Sequence, residues 1–153
     1  MEKIKRIGIV AHDNQKKDMV EWVKFNSETL VNHKIYCTGT TGRLVETVLQ
    51  KKAKEKNDDY RVTRLKSGPL GGDLQLGALI AEEKIDVIFF FWDPMQPHPH
   101  DVDVKALLRI AVLYNIPCAS NRSTADFLIS SPLFLQEYKP RLKDYSQYIA
   151  REI

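Results

Sequence analysis

A chain of 153 residues with 43% hydrophobic content can bury one substantial core but is too short for two domains of ordinary size. We therefore predict a single domain over residues 1–153, with a C-terminal tail from about residue 131. The 23 basic and 20 acidic residues are spread along the chain and leave a net charge of +3, which argues against a nucleic-acid-binding surface.

Cysteine content and hydropathy predict where the protein works. Cys37 and Cys118 are the only cysteines, and each lies in a short apolar run typical of a buried strand, as expected of reduced thiols. The apolar run Ile7–Ala11 is shorter than that of a signal peptide, and no stretch reaches transmembrane length. We expect a cytoplasmic protein that has no membrane contact.

The first half of the chain alternates strand and helix patterns. Ile7–Ala11 and Ile35–Thr38 are continuous apolar runs of the kind found in parallel strands that are covered on both faces. Apolar residues recur at helical spacing over 19–30 after the first strand and over 44–49 after the second. Residues 51–59 are strongly charged, with Asn57-Asp58-Asp59 as a break.

The second half continues this alternation. Tyr60–Leu65 predicts an edge strand, Ile85–Trp92 predicts an inner strand because it is apolar at nearly every position, and Ile116–Ser120 predicts a fifth strand. Helical patterns follow these strands at 74–80, 104–112 and 124–129, and a short helix is expected at about Leu142–Arg151.

Five strands alternating with five helices predict a three-layer α/β/α, Rossmann-like fold with a five-stranded parallel sheet and right-handed crossovers. Ligands of such doubly wound sheets bind beyond the carboxyl ends of the strands. The loops expected there are 12–16, 38–43, 67–73, 93–103 and 120–124.

The loop Ser67–Asp73 is the most informative stretch, because three glycines, one proline, a hydroxyl and a carboxylate lead directly into a predicted helix. One interpretation is a tight turn with Asp73 as the helix N-cap. The other is an anion site whose carboxylate moves a proton. The seven residues do not decide between these interpretations.

Small hydrogen-bond donors collect at the ends of the second and third predicted strands, where backbone amides and hydroxyls could hold a phosphate. Lys16 could add a positive charge. Ordinary turns and caps are the alternative, and neither a P-loop nor a G-x-G-x-x-G sequence is present. The donors are Thr38, Gly39, Thr40, Thr41, Ser67 and Gly68.

A second group of loop residues carries carboxylates and imidazoles, which favours either acid-base catalysis or a metal site, the metal being the weaker hypothesis. For Asp101 and Asp103 the alternative is helix capping, and for His98 it is an exposed loop position. A phosphate site beside a base predicts enolisation of a small phosphorylated ketone without a cofactor. This group consists of His12, Asp73, Asp93, His98, His100, Asp101 and Asp103.

Several motifs together resemble the methylglyoxal synthase family, in order and at compatible spacing from Ile7 to about Pro132. They are Val10-Ala11-His12-Asp13, Thr38-Gly39-Thr40-Thr41-Gly42, Ser67-Gly68-Pro69-Leu70-Gly71-Gly72-Asp73, Phe90-Phe91-Trp92-Asp93-Pro94, Pro99 to Leu107, Asn115-Ile116-Pro117 and Thr124-Ala125-Asp126-Phe127.

The resemblance implies conversion of dihydroxyacetone phosphate to methylglyoxal and inorganic phosphate through an enediol or enediolate, with no metal or organic cofactor. It also implies a homohexamer, often inhibited by phosphate, and a sheet of order 3-2-1-4-5. That order would bring His12 and Lys16 opposite residues 93–103.

The resemblance also implies roles for individual residues. Asp73 matches the catalytic base, His100 the histidine near the substrate carbonyl, and Asp103 a catalytic partner, with Asp93 and Asp101 in support. Phosphate contacts fall on His12, Lys16, Thr38, Gly39, Thr40, Thr41, Ser67 and Gly68, with His100 also contacting substrate.

The chain departs from the family in two places. The segment 50–64 is longer and more charged than is usual in the family, and we interpret it as a surface extension. Near the C-terminus, Arg151 sits one residue earlier than the family's subunit-crossing arginine. A second functional class also stays open, namely a non-catalytic regulatory module that binds phosphate or a sugar phosphate, like the domain that terminates large carbamoyl phosphate synthetases. Such a module needs the anion site but not the base.

Overall fold

A parallel sheet organises the computed structural model, which describes residues 1–55, 60–97 and 101–151. Within these residues the sheet has five strands in the order β3-β2-β1-β4-β5, every neighbouring pair being parallel. This confirms the predicted fold class and the strand order implied by the resemblance. The strands are β1 (Arg6–Ala11), β2 (Lys34–Thr38), β3 (Thr63–Leu65), β4 (Val87–Phe91) and β5 (Cys118–Ala119).

Helices cover both faces of the sheet. The described helices are α1 (Lys16–Phe25), α2 (Ser27–Leu30), α3 (Gly39–Lys54), α4 (Gly72–Ala81), α5 (Asp101–Leu113), α6 (Arg122–Ser130) and α7 (Ser146–Ile149). Buried side chains of α1, α3 and α6 form one core cluster with the sheet, and those of α4 and α5 form the other. In the part of the chain described, none of the helices has the length and apolar character needed to cross a membrane.

Strand β4 is apolar at every position because both of its faces are covered. In β4, Phe89 and Phe91 enter the cluster under α1 and α3, whereas Ile88 and Phe90 enter the cluster under α4 and α5. Trp22 of α1 packs on Phe89 with 4.6 Å between ring centroids. Burial of each such side chain contributes about 1.5–3 kcal/mol, so β4 is a large source of stability.

Three elements are much shorter than predicted, and one of them is the fifth strand, predicted over Ile116–Ser120 but formed only by Cys118–Ala119. The predicted edge strand Tyr60–Leu65 pairs only over Thr63–Leu65. The Val62 N–H donates to Glu46 Oε1, and the His33 carbonyl accepts from the Tyr60 side-chain hydroxyl, so both backbone groups are bonded to side chains instead of to the neighbouring strand. The predicted tail helix over about Leu142–Arg151 is helical only at Ser146–Ile149. Its residues are exposed, so packing does not support a longer helix.

A cluster of contacts at the amino end of the sheet holds the chain termini together. Lys5 is 1% exposed, and its ammonium donates to the carbonyls of Glu2 and Gln136. The Lys5 N–H donates to Nδ1 of His33, which is 5% exposed. The His33 ring packs edge-on against Phe134, so this cluster joins β1, the start of β2 and the C-terminal segment.

His33 makes stability depend on pH. Burial, and then the neighbouring Lys5 charge, lower the pKa of His33 from 6.5 to about 4. Between these values the unfolded chain binds a proton that the folded chain does not bind, so the free energy of unfolding falls as the pH falls. We expect His33 to remove about 2 kcal/mol of stability between about pH 7 and about pH 5.

The measurement is urea unfolding of the native chain and of His33→Gln at both pH values. Glutamine keeps an acceptor for the Lys5 N–H but does not titrate, so subtracting its pH dependence removes the effect of the other groups. Equal pH dependence of the two proteins would contradict this account of His33.

Candidate active site

The loops after β1, β2 and β3 converge on one cavity of about 320 Å³ at the carboxyl edge of the sheet. This is the edge at which ligands of doubly wound sheets bind. The eight residues predicted to contact phosphate all line this cavity, and so does Asp73. His100, which was also predicted to contact the substrate, lies outside the described residues. Its described lining is Val10, Ala11, His12, Asp13, Lys16, Thr38, Gly39, Thr40, Thr41, Ser67, Gly68, Pro69 and Asp73.

Helix α3 presents its N-terminus to this cavity. We predicted a loop over Gly39–Arg43 with the helix beginning near Leu44, but α3 begins at Gly39 and its N-cap is Thr38. The first turn of a helix has N–H groups without acceptors inside the helix and carries a partial positive charge. Thr40 and Thr41 therefore lie where backbone amides favour an anion.

Gly39 joins the loop after β2 to the loop after β3. Its φ of +51° is in the left-handed region, and an added Cβ would lie 3.0 Å from the Cα of Ser67. Its N–H donates to the Lys66 carbonyl at 3.0 Å. The loop after β2 and the loop after β3, which are distant in sequence, are therefore in van der Waals contact at the cavity wall through Gly39 and Ser67.

Lys16 brings the positive charge of a side chain to the same wall. Its ammonium donates to Thr40 Oγ1 and to Asp13 Oδ1, each at 2.5 Å. Its ammonium thus reaches the loop after β2, whereas residues 98–100 of the segment that Lys16 was expected to face lie outside the described residues. Lys16 therefore sits beside the N-terminus of α3, and both attract an anion.

The loop Ser67–Asp73 folds as a short 3-10 turn, Gly68–Leu70, followed directly by α4. The Gly72 N–H donates to the Ser67 carbonyl at 2.9 Å, which closes the loop on itself. An added Cβ on Gly72 would lie 2.0 Å from the Lys66 carbonyl oxygen, so only glycine fits. The backbone just beyond β3 and the start of α4 are thus in direct contact.

Asp73 lies in the first turn of α4, is 1% exposed and lines the cavity. The hypothesis that Asp73 is the helix N-cap is wrong, because Gly71 holds that position with a φ of 89°. The buried carboxylate therefore borders the same space as the anion-binding amides.

His12 connects the ends of β1 and β4. The backbone N–H of His12 donates to the Phe91 carbonyl at 3.1 Å. The ring Nδ1 of His12 accepts a hydrogen bond from the Asp93 N–H, also at 3.1 Å. Because Nδ1 is an acceptor, a neutral His12 ring carries its proton on Nε2. The Asp93 carboxylate accepts from the Asn14 amide and from the Met95 N–H, each at 2.9 Å, which fixes the loop that orients His12.

The other predicted catalytic residues are not part of the described cavity wall. Asp93 lies behind His12, and Asp101 and Asp103 lie in the first turn of α5, where Asp101 pairs with Lys105 at 2.8 Å. His98 and His100 lie outside the described residues.

Over the described residues, neither the thiol of Cys37 nor a group of metal ligands adds reactive chemistry to this site. Cys37 is fully buried beneath the start of α3, and burial raises the pKa of its thiol, so it is a neutral packing residue. Over residues 1–55, 60–97 and 101–151, no three His, Cys, Asp or Glu side chains are grouped so that they could hold a metal ion.

Sequence reasoning missed several residues that shape the site. Asp13 and Pro69 line the cavity, and Asn14, Gly72 and Gln75 hold its loops in place. The G-G-D sequence signalled close backbone approach, but the contact of Gly72 with Lys66 depends on tertiary structure. The exposed Asn14 and Gln75 carry no sequence signal of their own.

A doubly wound sheet with an anion cavity and a buried carboxylate at its carboxyl edge defines an α/β protein suited to phosphate esters. The family model described as MGS-like domain matches residues 18–120, more than half of the chain. The chain therefore belongs to the MGS-like family.

The chain is 58% identical to the methylglyoxal synthase of Maridesulfovibrio salexigens over 100% of both proteins. It is 53% identical to that of Proteus mirabilis over 97% of this chain and 92% of the relative. The crystal structure of methylglyoxal synthase from Elizabethkingia anophelis superimposes with a TM-score of 0.87 at 44% identity, covering 100% of this chain and 95% of that one. These matches confirm the resemblance stated from the sequence motifs.

The contact between Gly72 and the Lys66 carbonyl predicts a sharp effect of one methyl group. Gly72→Ala must displace the backbone of Lys66 just beyond β3, and we expect a loss of about 1–3 kcal/mol in the free energy of unfolding together with weaker phosphate binding. Denaturant unfolding and phosphate calorimetry measure these two effects.

Gly77→Ala is the matched control, because it lies in the same helix and no atom lies within 4 Å of its added Cβ. We expect that variant to keep phosphate affinity and to gain up to about 1 kcal/mol from helix propensity. Equal effects of the two substitutions would contradict the steric account.

Proposed function

We propose that this chain is a carbon-oxygen lyase that converts dihydroxyacetone phosphate to methylglyoxal and inorganic phosphate. The observation that carries the proposal is the position of Asp73, whose buried carboxylate borders the same cavity as the anion-binding loops 38–41 and 67–68. The identity to proteins named methylglyoxal synthase supports it.

The phosphate of the substrate binds at the N-terminus of α3 and the turn after β3. Backbone amides of Thr40 and Thr41, the Ser67 and Gly68 segment, and the Lys16 ammonium supply positive potential there. Gly39 lines the same wall, while its N–H is held by the Lys66 carbonyl. Thr38 completes this wall as the N-cap residue of α3.

The chemistry needs one base and no redox partner. Asp73 takes a proton from the hydroxymethyl carbon, and the C–H electron pair forms the carbon-carbon double bond of an enediolate. When the terminal hydroxyl oxygen gives up its proton and becomes an aldehyde, the double bond shifts by one position and the C–O bond to phosphate breaks, its electrons leaving with phosphate. The resulting enol takes a proton at carbon and becomes methylglyoxal.

A hydrogen-bond donor must stabilise the oxygen that becomes negative during enolisation. His12 lines the cavity, and its Nε2–H is the donor that we propose for this oxygen. We propose His100 as the second imidazole, which relays the proton between the two oxygens, with Asp103 as its partner and Asp101 and Asp93 in support. Asp93 acts through the His12 ring that its N–H orients.

The same enediolate could be reprotonated and return to triose phosphate. Phosphate leaves only when its C–O bond stands roughly perpendicular to the enediolate plane, because the breaking bond must overlap the π system. The anion site therefore has to hold a torsion angle as well as a charge.

The proposed assembly is a homohexamer that works in the cytoplasm and is inhibited by phosphate. Apolar side chains exposed along the C-terminal segment, including Leu142, Tyr148 and Ile149, support a surface that a second copy covers. Arg151 stacks on Tyr148 at 3.8 Å in that segment and could reach a neighbouring site. Sedimentation equilibrium tests the assembly, with six times the chain mass of 17.6 kDa expected.

The proposed reaction predicts equal release of two products. Purified, chelator-treated protein incubated with dihydroxyacetone phosphate should form methylglyoxal and phosphate in a one-to-one ratio. Asp73→Asn should lower kcat by about 10²–10⁴-fold, because it removes the base, while phosphate affinity stays within about threefold.

Two results would contradict the proposal. Substantial turnover by Asp73→Asn would remove Asp73 as the base. Tight phosphate binding by the native chain with neither product formed would favour the non-catalytic regulatory module.

A further inference from the structure

Gln75 connects the helix that carries Asp73 to the strand that precedes the phosphate loop. It lies in the first turn of α4 with an exposed side chain, and its Oε1 accepts a hydrogen bond from the Lys66 N–H at 2.8 Å. Neither the cavity lining nor the proposed chemistry uses this side chain.

The carbonyl group of Lys66 is also held, by contacts with Gly39 and Gly72. Its carbonyl accepts from the Gly39 N–H at 3.0 Å and lies against the α-carbon of Gly72. Lys66 thus contacts α4 through its N–H and α3 through its carbonyl. Together with Ser67, whose carbonyl accepts from the Gly72 N–H, it joins the two anion-binding segments to the base-bearing helix.

The sheet itself holds Lys66 weakly. The ladder between β2 and β3 ends at the pairing of Thr38 with Leu65, so Lys66 is the first residue beyond it. Because β3 is an edge strand of three residues, side-chain contacts have a larger share in fixing the backbone beyond its end. Ser67 and Gly68, which border the cavity, come immediately after Lys66.

We propose that Gln75 is a positioning residue that fixes the Ser67–Gly68 segment relative to the Asp73 carboxylate and thereby couples proton abstraction to phosphate loss. The proposal rests on the function proposed above. Asp73 itself lies inside the first turn of α4 and is 1% exposed, so its position does not depend on the Gln75 side chain. Loss of the Gln75 acceptor therefore loosens the phosphate more than the base.

This asymmetry has a chemical consequence. A loosened phosphate samples torsion angles at which its C–O bond lies near the enediolate plane, where phosphate cannot leave. Proton abstraction continues, and the enediolate is reprotonated by solvent-derived protons more often. The ratio of hydrogen exchange to elimination should rise, which a general loss of folded enzyme would not cause.

The test compares Gln75→Met, which has similar length but no amide oxygen, with Gln75→Glu, which keeps an acceptor for the Lys66 N–H. Each protein turns over dihydroxyacetone phosphate in deuterated water. Mass spectrometry measures deuterium at the hydroxymethyl carbon of recovered substrate, and a colorimetric assay measures methylglyoxal. Gln50→Met, at the far end of α3, is the matched control.

We expect the exchange-to-product ratio to rise about three- to tenfold in Gln75→Met, the range that loss of one hydrogen bond allows. We expect it to stay within about twofold of the native value in Gln75→Glu and Gln50→Met. An unchanged ratio in Gln75→Met, or failure of Gln75→Glu to restore it, would overturn the positioning role while the native enzyme still forms methylglyoxal. A native chain that forms no methylglyoxal would overturn the proposed function itself, and this role with it.

Discussion

The hydrogen bond from the Gly39 N–H to the Lys66 carbonyl is the contact on which the candidate site depends. It holds the loops after β2 and β3 side by side, so that amides from both can face one anion. The left-handed backbone of Gly39 and the missing Cβ of Gly72 permit this contact from its two sides. A phosphate site and a carboxylate could each exist without it, but their separation would not be fixed.

The fold explains why this contact can be maintained. Strands β1 and β4 lie at the middle of the sheet with both faces buried, and their carboxyl ends position His12 and the Asp93 loop. At the opposite end of the sheet, Lys5 and His33 join the N-terminus to the C-terminal segment. Binding chemistry at one edge is therefore separated from the contacts that close the chain at the other.

Much of the fold follows from the sequence because hydrophobic periodicity reports burial directly. Ile85–Trp92 predicted a fully covered strand, and β4 is one. The start of α3 could not be predicted, since it depends on the tertiary contact that holds Gly39 at a positive φ. The length of β3 also could not be predicted, because it depends on tertiary contacts in which the Glu46 side chain binds the Val62 N–H and the Tyr60 hydroxyl binds the His33 carbonyl.

The candidate site was predictable in part from the geometry of a parallel sheet. Loops that follow parallel strands meet at one edge, so Thr38, Ser67 and Asp73 could be expected together. Which of several carboxylates faces the cavity depends on how each helix begins, and pattern alone did not distinguish Asp73 from Asp101. The contact between Gln75 and Lys66 involves a backbone atom, which leaves no trace in the sequence.

The central claim is that one cavity holds the phosphate and the base together. A crystal structure of the protein with saturating inorganic phosphate tests this most directly. The account predicts phosphate about 2.7–3.2 Å from amides of the α3 N-terminus and the Ser67–Gly68 turn, with the Lys16 ammonium in contact and the Asp73 carboxylate bordering the same cavity. Phosphate bound elsewhere, with this cavity holding none, would contradict it.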